Sequence, residues 1–219
     1  MSRILRVAVL ISGAGSNLQA LLDARSREGY AIVGVISNRP EAAGLARATA
    51  AGIPAVAVDH AAFPDRPAFE AALDTAVSQF APDLIALAGF MRVLTADFVA
   101  RQEGHLLNVH PSLLPSYRGL HTHARALAAG ERWHGASIHY VTAELDGGPA
   151  VLQGRLAVCP EENEATLRAR VQALEHRIYP QALGWIAQGR LRWQDHGPWF
   201  DGAPLREPLL IEETETCPS

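Results

Sequence analysis

Along the first half of the chain, short apolar runs alternate with longer segments whose apolar residues recur at helical spacing. Ile4 to Ile11 is almost wholly apolar, the pattern of a strand covered on both faces, and it runs directly into Ser12-Gly13-Ala14-Gly15-Ser16-Asn17. Beyond that loop Leu18, Leu21 and Leu22 fall on one stripe of a helix whose first turn Ser16 or Asn17 is placed to cap. The pattern then repeats, with strands expected over 31–36, 55–58 and 84–88 and helices over 41–51 and 67–80. Alternating strands and helices joined by right-handed crossovers predict an α/β fold of Rossmann-like type, a mostly parallel central sheet with helices on both faces.

The second half adds a short strand, Leu106-Leu107-Asn108-Val109-His110, ended by Pro111, and a helix through Ala129. Residues 136–141 and 150–158 read as two strands flanking a turn-rich loop, and are expected to form a small antiparallel, hairpin-like extension. A long helix beginning near 162–164 carries Leu167, Val171, Leu174, Ile178, Ala182 and Trp185 on one stripe, and 189–193 suggests a final short strand. One domain over 1–207 is therefore expected, followed by a loose acidic tail over 208–219.

Side chains two apart on a strand share a face, so Asn108 and His110 point together. A hydrogen-bond donor and an acid/base thus stand at a strand's carboxyl end, where open α/β sheets bind ligands. The glycine loop brings free N–H groups to the positive end of a helix, ready for an anion. Leu18 occupies the place of the dinucleotide fingerprint's third glycine, and the next strand ends in Ser37-Asn38-Arg39 without an acid, so a monophosphate fits better than NAD. A plain helix cap beside a tight turn explains the same residues. Other segments also carry two readings. Arg66, in a proline-rich connection, serves a ligand carboxylate or is a solvated loop arginine, and Gly89 to Leu94 lines a flat aromatic ligand or packs under the next helix. Asp146 before two glycines is ordinary turn chemistry by spacing alone, and Glu175 on the border of its helical stripe needs a partner or a ligand.

Composition removes several classes of function. The net charge of −4 and the absence of a basic run give a nucleic-acid partner no electrostatic footprint. All nineteen basic residues are arginine, which excludes a Schiff-base lysine and a Gly-Lys-Ser/Thr phosphate loop. Six of the nine histidines lie between His105 and His139, but no acidic or thiol ligand set accompanies them at defined spacing, so no metal is expected. Cys159 and Cys217 stand in no paired motif, which fits a reducing compartment and makes no zinc site. No stretch approaches the roughly 20 apolar residues that span a bilayer, and no membrane association is expected. The expected setting is the cytoplasm.

Four ordered motifs carry a resemblance. Leu10-Ile11-Ser12-Gly13 with Gly15-Ser16-Asn17, Leu87-Ala88-Gly89-Phe90-Met91-Arg92, Asn108-Val109-His110-Pro111-Ser112-Leu113-Leu114-Pro115 and Glu144-Leu145-Asp146-Gly147-Gly148-Pro149 resemble the glycinamide ribonucleotide formyltransferases of purine synthesis. The likeness runs from Val7 to about Trp199, and Gly119-Leu120-His121-Thr122-His123 is similar to the glycinamide branch in particular. It implies the formyltransferase fold and 10-formyltetrahydrofolate as co-substrate, with small-molecule partners only and a monomer or homodimer. Asn108, His110 and Asp146 are the implied catalytic trio. Gly15, Ser16, Asn17, Gln172 and Glu175 are the implied ribonucleotide contacts. Arg66, Met91, Arg92, Val93, Leu94, Asn108, Thr142, Ala143, Glu144, Leu145 and Asp146 are the implied folate contacts.

The chemistry of such a reaction explains these residue types. A neutral amine attacks the formyl carbon, the carbonyl oxygen becomes an oxyanion, and a proton must pass from the attacking nitrogen to the leaving group. Asn108 offers an amide N–H and His110 an imidazolium N–H, the donors an oxyanion hole requires, with Asp146 beside them to favour the charged ring. A transfer-RNA-formylating relative would add a basic carboxyl-terminal domain, and a formyl-folate hydrolase an amino-terminal one; the length of the chain favours neither. A sugar-nucleotide formyltransferase differs only in the accepting amine. A non-catalytic phosphosugar-binding module would need the glycine loop but not the trio.

Overall fold

The apolar run read first along the chain becomes β1 (Leu5–Ile11), which is fully buried from Val7 onward and lies at the middle of the sheet. The computed structural model describes residues 3–213. In chain order the elements are α1 (Ser16–Glu28), β2 (Tyr30–Ser37), α2 (Ala43–Ala50), β3 (Ala55–Ala57), α3 (Arg66–Ser78), β4 (Leu84–Leu87), α4 (Ala96–Arg101), β5 (Leu106–His110) and α5 (Thr122–Ala128). They continue with β6 (Trp133–Tyr140), β7 (Ala150–Ala157), α6 (Glu164–Ala187), β8 (Leu191–Gln194), β9 (Gly197–Phe200), β10 (Ala203–Pro204) and β11 (Leu209–Glu212). The main sheet has eight strands in the order β11-β7-β6-β5-β4-β1-β2-β3, and β8, β9 and β10 form a separate antiparallel sheet.

Strand periodicity divides the core in two. Val7, Val9, Ile11, Leu107 and Val109 point to the face covered by Leu18, Leu21 and Leu22 of α1 and by Leu167, Val171, Leu174 and Ile178 of α6. Ala8, Leu10, Ile85, Leu87 and Leu106 point to the opposite face, against Phe69, Leu73 and Val77 of α3 and Phe98 and Val99 of α4. Asn108 and His110 continue that second face beyond Leu106, where loops take over from the helices.

β1 to β5 pair in parallel, and the order reverses at β1, which lies between β2 and β4. The carboxyl ends of β1, β4 and β5 therefore open side by side, the crevice in which sheets of this class hold ligands.

The structure corrects three expectations. Residues 209–212 are no loose tail: β11 pairs in parallel with β7, placing Leu209 and Ile211 against the core while Glu212 meets Arg155 at the surface. Residues 214–219, with Cys217, lie outside the described residues. The pair β6 and β7 is no peripheral extension, because β6 is antiparallel to β5 as well as to β7 and so stands inside the main sheet. The small antiparallel extension is β8 to β10 instead, so the strand expected at 189–193 is the first of three. The short helix α4, the element that follows Leu94, carries too few apolar positions to show a stripe. It forms because Thr95 caps the Phe98 N–H and because Phe98 and Val99 are buried in the second core.

Candidate active site

Two neighbouring side chains of β5, Asn108 and His110, meet the distant Asp146 on the open part of the β5 face. His110 is buried at the end of β5, and its Nε2 lies 3.0 Å from the Tyr117 carbonyl, an atom that only accepts, so Nε2 carries a proton. Its Nδ1 lies 3.4 Å from Asp146 Oδ2. Each ring nitrogen thus faces an oxygen that can accept. The Nδ1 contact is long for a hydrogen bond, so Nδ1 is left open toward a third oxygen.

Asp146 reaches this position because residues 141–149, joining β6 to β7, fold back over the sheet. Asp146 itself adopts a left-handed backbone, φ 48°, and its Oδ2 accepts the Gly119 N–H at 2.9 Å. The tight return needs Gly148. A Cβ there would stand 1.9 Å from the Tyr140 carbonyl oxygen, a backbone atom that cannot yield. The Asp-Gly-Gly sequence is thus turn chemistry in the service of aiming a carboxylate.

Asn108 is held by a residue that sequence reasoning missed. Its Nδ2 lies 3.1 Å from Nε2 of His139 on β6, whose Nδ1 faces the Tyr140 carbonyl at 2.9 Å. Burial pushes the His139 pKa down to about 4, outweighing the Tyr140 carbonyl and the Asp146 carboxylate, which act the other way. The ring is therefore neutral, and the 3.8 Å approach of Asp146 to His139 is not an ion pair. The signal was present in the sequence as a histidine in phase with the strand pattern, but the pairing of β5 with β6 was not.

The glycine loop and α6 meet across the carboxyl end of β1. Gly15 caps α1 in a left-handed conformation, φ 72°, and a Cβ on it would stand 2.8 Å from Gly44 Cα. The N-cap is Gly15, which has no side chain to cap with, and among the described residues no side-chain hydrogen bond runs from Ser16 or Asn17 to the first turn. Both side chains instead turn to α6, where Ser16 Oγ accepts from Gln172 Nε2 at 3.0 Å and Asn17 Nδ2 donates to Glu175 Oε2 at 2.8 Å. Burial raises the Glu175 pKa to about 7, partly offset by the Asn17 amide. Asn17 Oδ1 is buried with no partner. Five residues placed together by resemblance are thus close in space.

The remaining predicted residues divide. Met91 and Val93, 67% and 53% exposed, stand out from the loop after β4, whereas Leu94 packs under α4, so the packing reading holds for Leu94. Leu145 beside Asp146 is 54% exposed, Glu144 pairs with Arg118, and Thr142 and Ala143 begin the same returning loop. Arg92 lies in the Met91 loop. Arg66 is the first residue of α3, whose N-cap Asp65 accepts from the Ala68 N–H; among the described residues no hydrogen bond or ion pair joins it to the trio. The bond between Leu114 and Pro115, on the loop after β5, is cis.

Two further histidines of the cluster pair with each other. His123 and His134 share one hydrogen bond at 3.1 Å, and burial lowers the pKa of both. No helix among the described residues is long and apolar enough to cross a membrane.

Comparison with known proteins places this geometry. The family described as formyl transferase matches residues 5–183. The phosphoribosylglycinamide formyltransferase of Escherichia coli is 46% identical over 203 residues, 92% of this chain and 96% of that protein. The trifunctional purine biosynthetic protein adenosine-3 of Bos taurus is 44% identical over 194 residues, 88% of this chain but 19% of that much longer protein. Among solved structures, the phosphoribosylglycinamide formyltransferase of Coxiella burnetii superposes with a TM-score of 0.90 at 48% identity, covering 94% of this chain and 100% of that one.

Proposed function

Because the chain belongs to the formyl transferase family, we infer that it transfers a formyl group from 10-formyltetrahydrofolate to the amine of glycinamide ribonucleotide, a step of purine synthesis. One observation carries the mechanism: an amide and an imidazole from one strand and a carboxylate from a distant loop converge, each held by a separate partner. The substrate amine attacks the formyl carbon, and the oxygen takes up the charge. The second Asn108 Nδ2 hydrogen and the His110 Nδ1 hydrogen donate to that oxyanion, while Nε2 stays fixed on the Tyr117 carbonyl. Asp146 stabilises the imidazolium and accepts the proton released by the attacking nitrogen, directly or through a water. The proton then passes to the folate nitrogen as the carbon–nitrogen bond to it breaks, which leaves formyl glycinamide ribonucleotide and tetrahydrofolate.

The binding roles follow the same geometry. Gly15, Ser16 and Asn17 offer the start of α1 to the phosphate, and Gln172 and Glu175 stand on the facing helix to hold the ribose. Met91, Val93 and Leu145 present apolar surface suited to a flat heterocycle, with Arg92, Thr142, Ala143 and Glu144 around it and Leu94 supporting from below. Arg66 serves a carboxylate at the far end of the donor. Both substrates are soluble small molecules, in keeping with a cytoplasmic setting.

The test is a spectrophotometric transfer assay with a 10-formyl folate and glycinamide ribonucleotide, run against aminosugar nucleotides as rival acceptors. Turnover with the glycinamide substrate alone is expected. Preference for an aminosugar nucleotide would move the chain to the sugar-nucleotide branch, and binding without transfer to either acceptor would leave a phosphosugar-binding module.

A further inference from the structure

Ser12 is the first residue beyond β1 and is buried, yet it belongs to neither set of substrate contacts. Its main-chain N–H donates to the Gly89 carbonyl at 3.1 Å. Its hydroxyl accepts the Met91 N–H at 2.7 Å and donates its single hydrogen to Asn38 Oδ1. Asn38, also buried, directly follows β2 and is itself fixed, its carbonyl accepting from the His60 main chain at 3.2 Å and ring at 2.8 Å. One hydroxyl therefore ties the loop after β4 to the ends of β1 and β2, immediately before the glycine loop begins.

The far end of that loop is pinned from α3, where the buried Glu70 carboxylate accepts the Thr95 N–H at 2.7 Å and also the Thr95 hydroxyl. Between the two anchors Met91 and Val93 are held out into solvent. Keeping large apolar side chains exposed requires a backbone fixed from below, since a free loop would turn them inward. On the Glu70 side that anchor is a charged group with two donors. On the nucleotide side it is the Ser12 hydroxyl.

We propose that Ser12 is a positioning residue for the formyl donor, its hydroxyl setting the height and direction of the Met91–Val93 platform from the nucleotide side of the crevice. The proposal rests on the reading that this platform receives the folate. Ser12 does not touch the reacting atoms. Its main-chain bond to Gly89 survives side-chain replacement, so the glycine loop keeps its place when the hydroxyl is lost, and the effect falls on the donor alone.

The experiment compares the wild-type chain with Ser12→Ala, Ser12→Thr and Asn38→Ala, measuring equilibrium affinity for tetrahydrofolate and for glycinamide ribonucleotide separately, alongside steady-state transfer. Ser12→Ala is expected to weaken tetrahydrofolate binding and raise the donor KM about tenfold, the factor that loss of one buried hydrogen bond corresponds to, with kcat reduced less than about threefold. Nucleotide affinity is expected to stay within about twofold, and threonine, which restores the hydroxyl, to recover most of the loss. Asn38→Ala, which removes only the acceptor that orients the hydroxyl, is expected to act in the same direction by about threefold and keeps the test available if Ser12→Ala does not fold. Unchanged tetrahydrofolate affinity in both alanine variants, or an equal loss for both ligands, would overturn the proposal. A wild-type chain that binds tetrahydrofolate but transfers nothing refutes the proposed reaction while leaving the Ser12 comparison decisive by affinity; one that binds no folate overturns both.

Discussion

Asn108 and His139 are register partners in the antiparallel β5–β6 ladder, and the amide of the first donates to Nε2 of the second at 3.1 Å. The direction of the bond follows from its neighbour, because His139 Nδ1 gives its hydrogen to the Tyr140 carbonyl and leaves only a lone pair at Nε2. One Asn108 hydrogen is committed to that lone pair, which aims the other. Replacing His139 by phenylalanine removes the acceptor, and kcat is expected to fall about ten- to a hundredfold with both Michaelis constants changed less than about threefold. Glutamine keeps an acceptor and is expected to lose less. Steady-state kinetics of the two variants decide the matter; equal losses would show that His139 does no more than fill space.

In the proposed mechanism proton transfer depends on Asp146. Asp146→Asn keeps an oxygen for the Gly119 N–H but cannot take a proton or favour the imidazolium, so kcat is expected to drop about 10²- to 10⁴-fold without loss of folded structure. His110→Ala is expected to fall as far. Near wild-type turnover in either variant, measured on protein with an unaltered thermal melt, would refute the assignment.

Glu175 sets stability against binding. Its carboxyl has a pKa raised by burial from 4.5 to about 7, so between those values the native state holds more protons than the unfolded one and stability declines as pH rises. At pH 8 the buried carboxylate is a cost of about 1–3 kcal/mol. Glu175→Gln is therefore expected to raise the melting temperature at pH 8 and to leave it nearly unchanged at pH 4.5, while weakening nucleotide affinity. Calorimetry at the two pH values, with a nucleotide titration, checks both halves.

The histidine pair titrates in the opposite sense. His134 has a pKa lowered by burial, and further by His123, from 6.5 to about 4, and that of His123 is lowered too, first by burial and then by Arg168. The unfolded chain binds the additional protons in that window, so the stabilisation is complete above pH 6.5 and is lost as pH falls toward 4. Tyr117, whose carbonyl holds His110, has its ring edge against His134 at 6.3 Å, so acid is expected to loosen the catalytic loop as well. Melting temperatures between pH 8 and 4.5 should fall with a slope that His134→Gln reduces; parallel curves for the two proteins would remove the pair from the account.

Much of this was legible from local pattern. The strand–loop–helix opening at Ile4 to Leu22 and the helical stripe from Leu167 to Trp185 came through because burial imposes a period of two or 3.6 on the residues themselves. The shared face of Asn108 and His110 needed only strand geometry. Residues 209–212 were misread because a short run of Leu-Leu-Ile-Glu beside acidic residues carries little pattern, and it forms a strand only where the β7 edge and Arg155 receive it. Ser16 and Asn17 were misread as caps because capping is a local habit, and the pull of Gln172 and Glu175, more than 150 residues away, is not visible in a window of one turn.

By itself the sequence determined the alternation of strands and helices and the shared face of Asn108 and His110, since periodicity and turn chemistry act over a few residues. Only the tertiary structure decided that Asp146 folds back onto His110, that His139 orients Asn108 and that Ser12 underpins Met91. Each of these joins groups through strand order or loop return, and the free energy that selects them comes from burial in a core assembled by the whole chain.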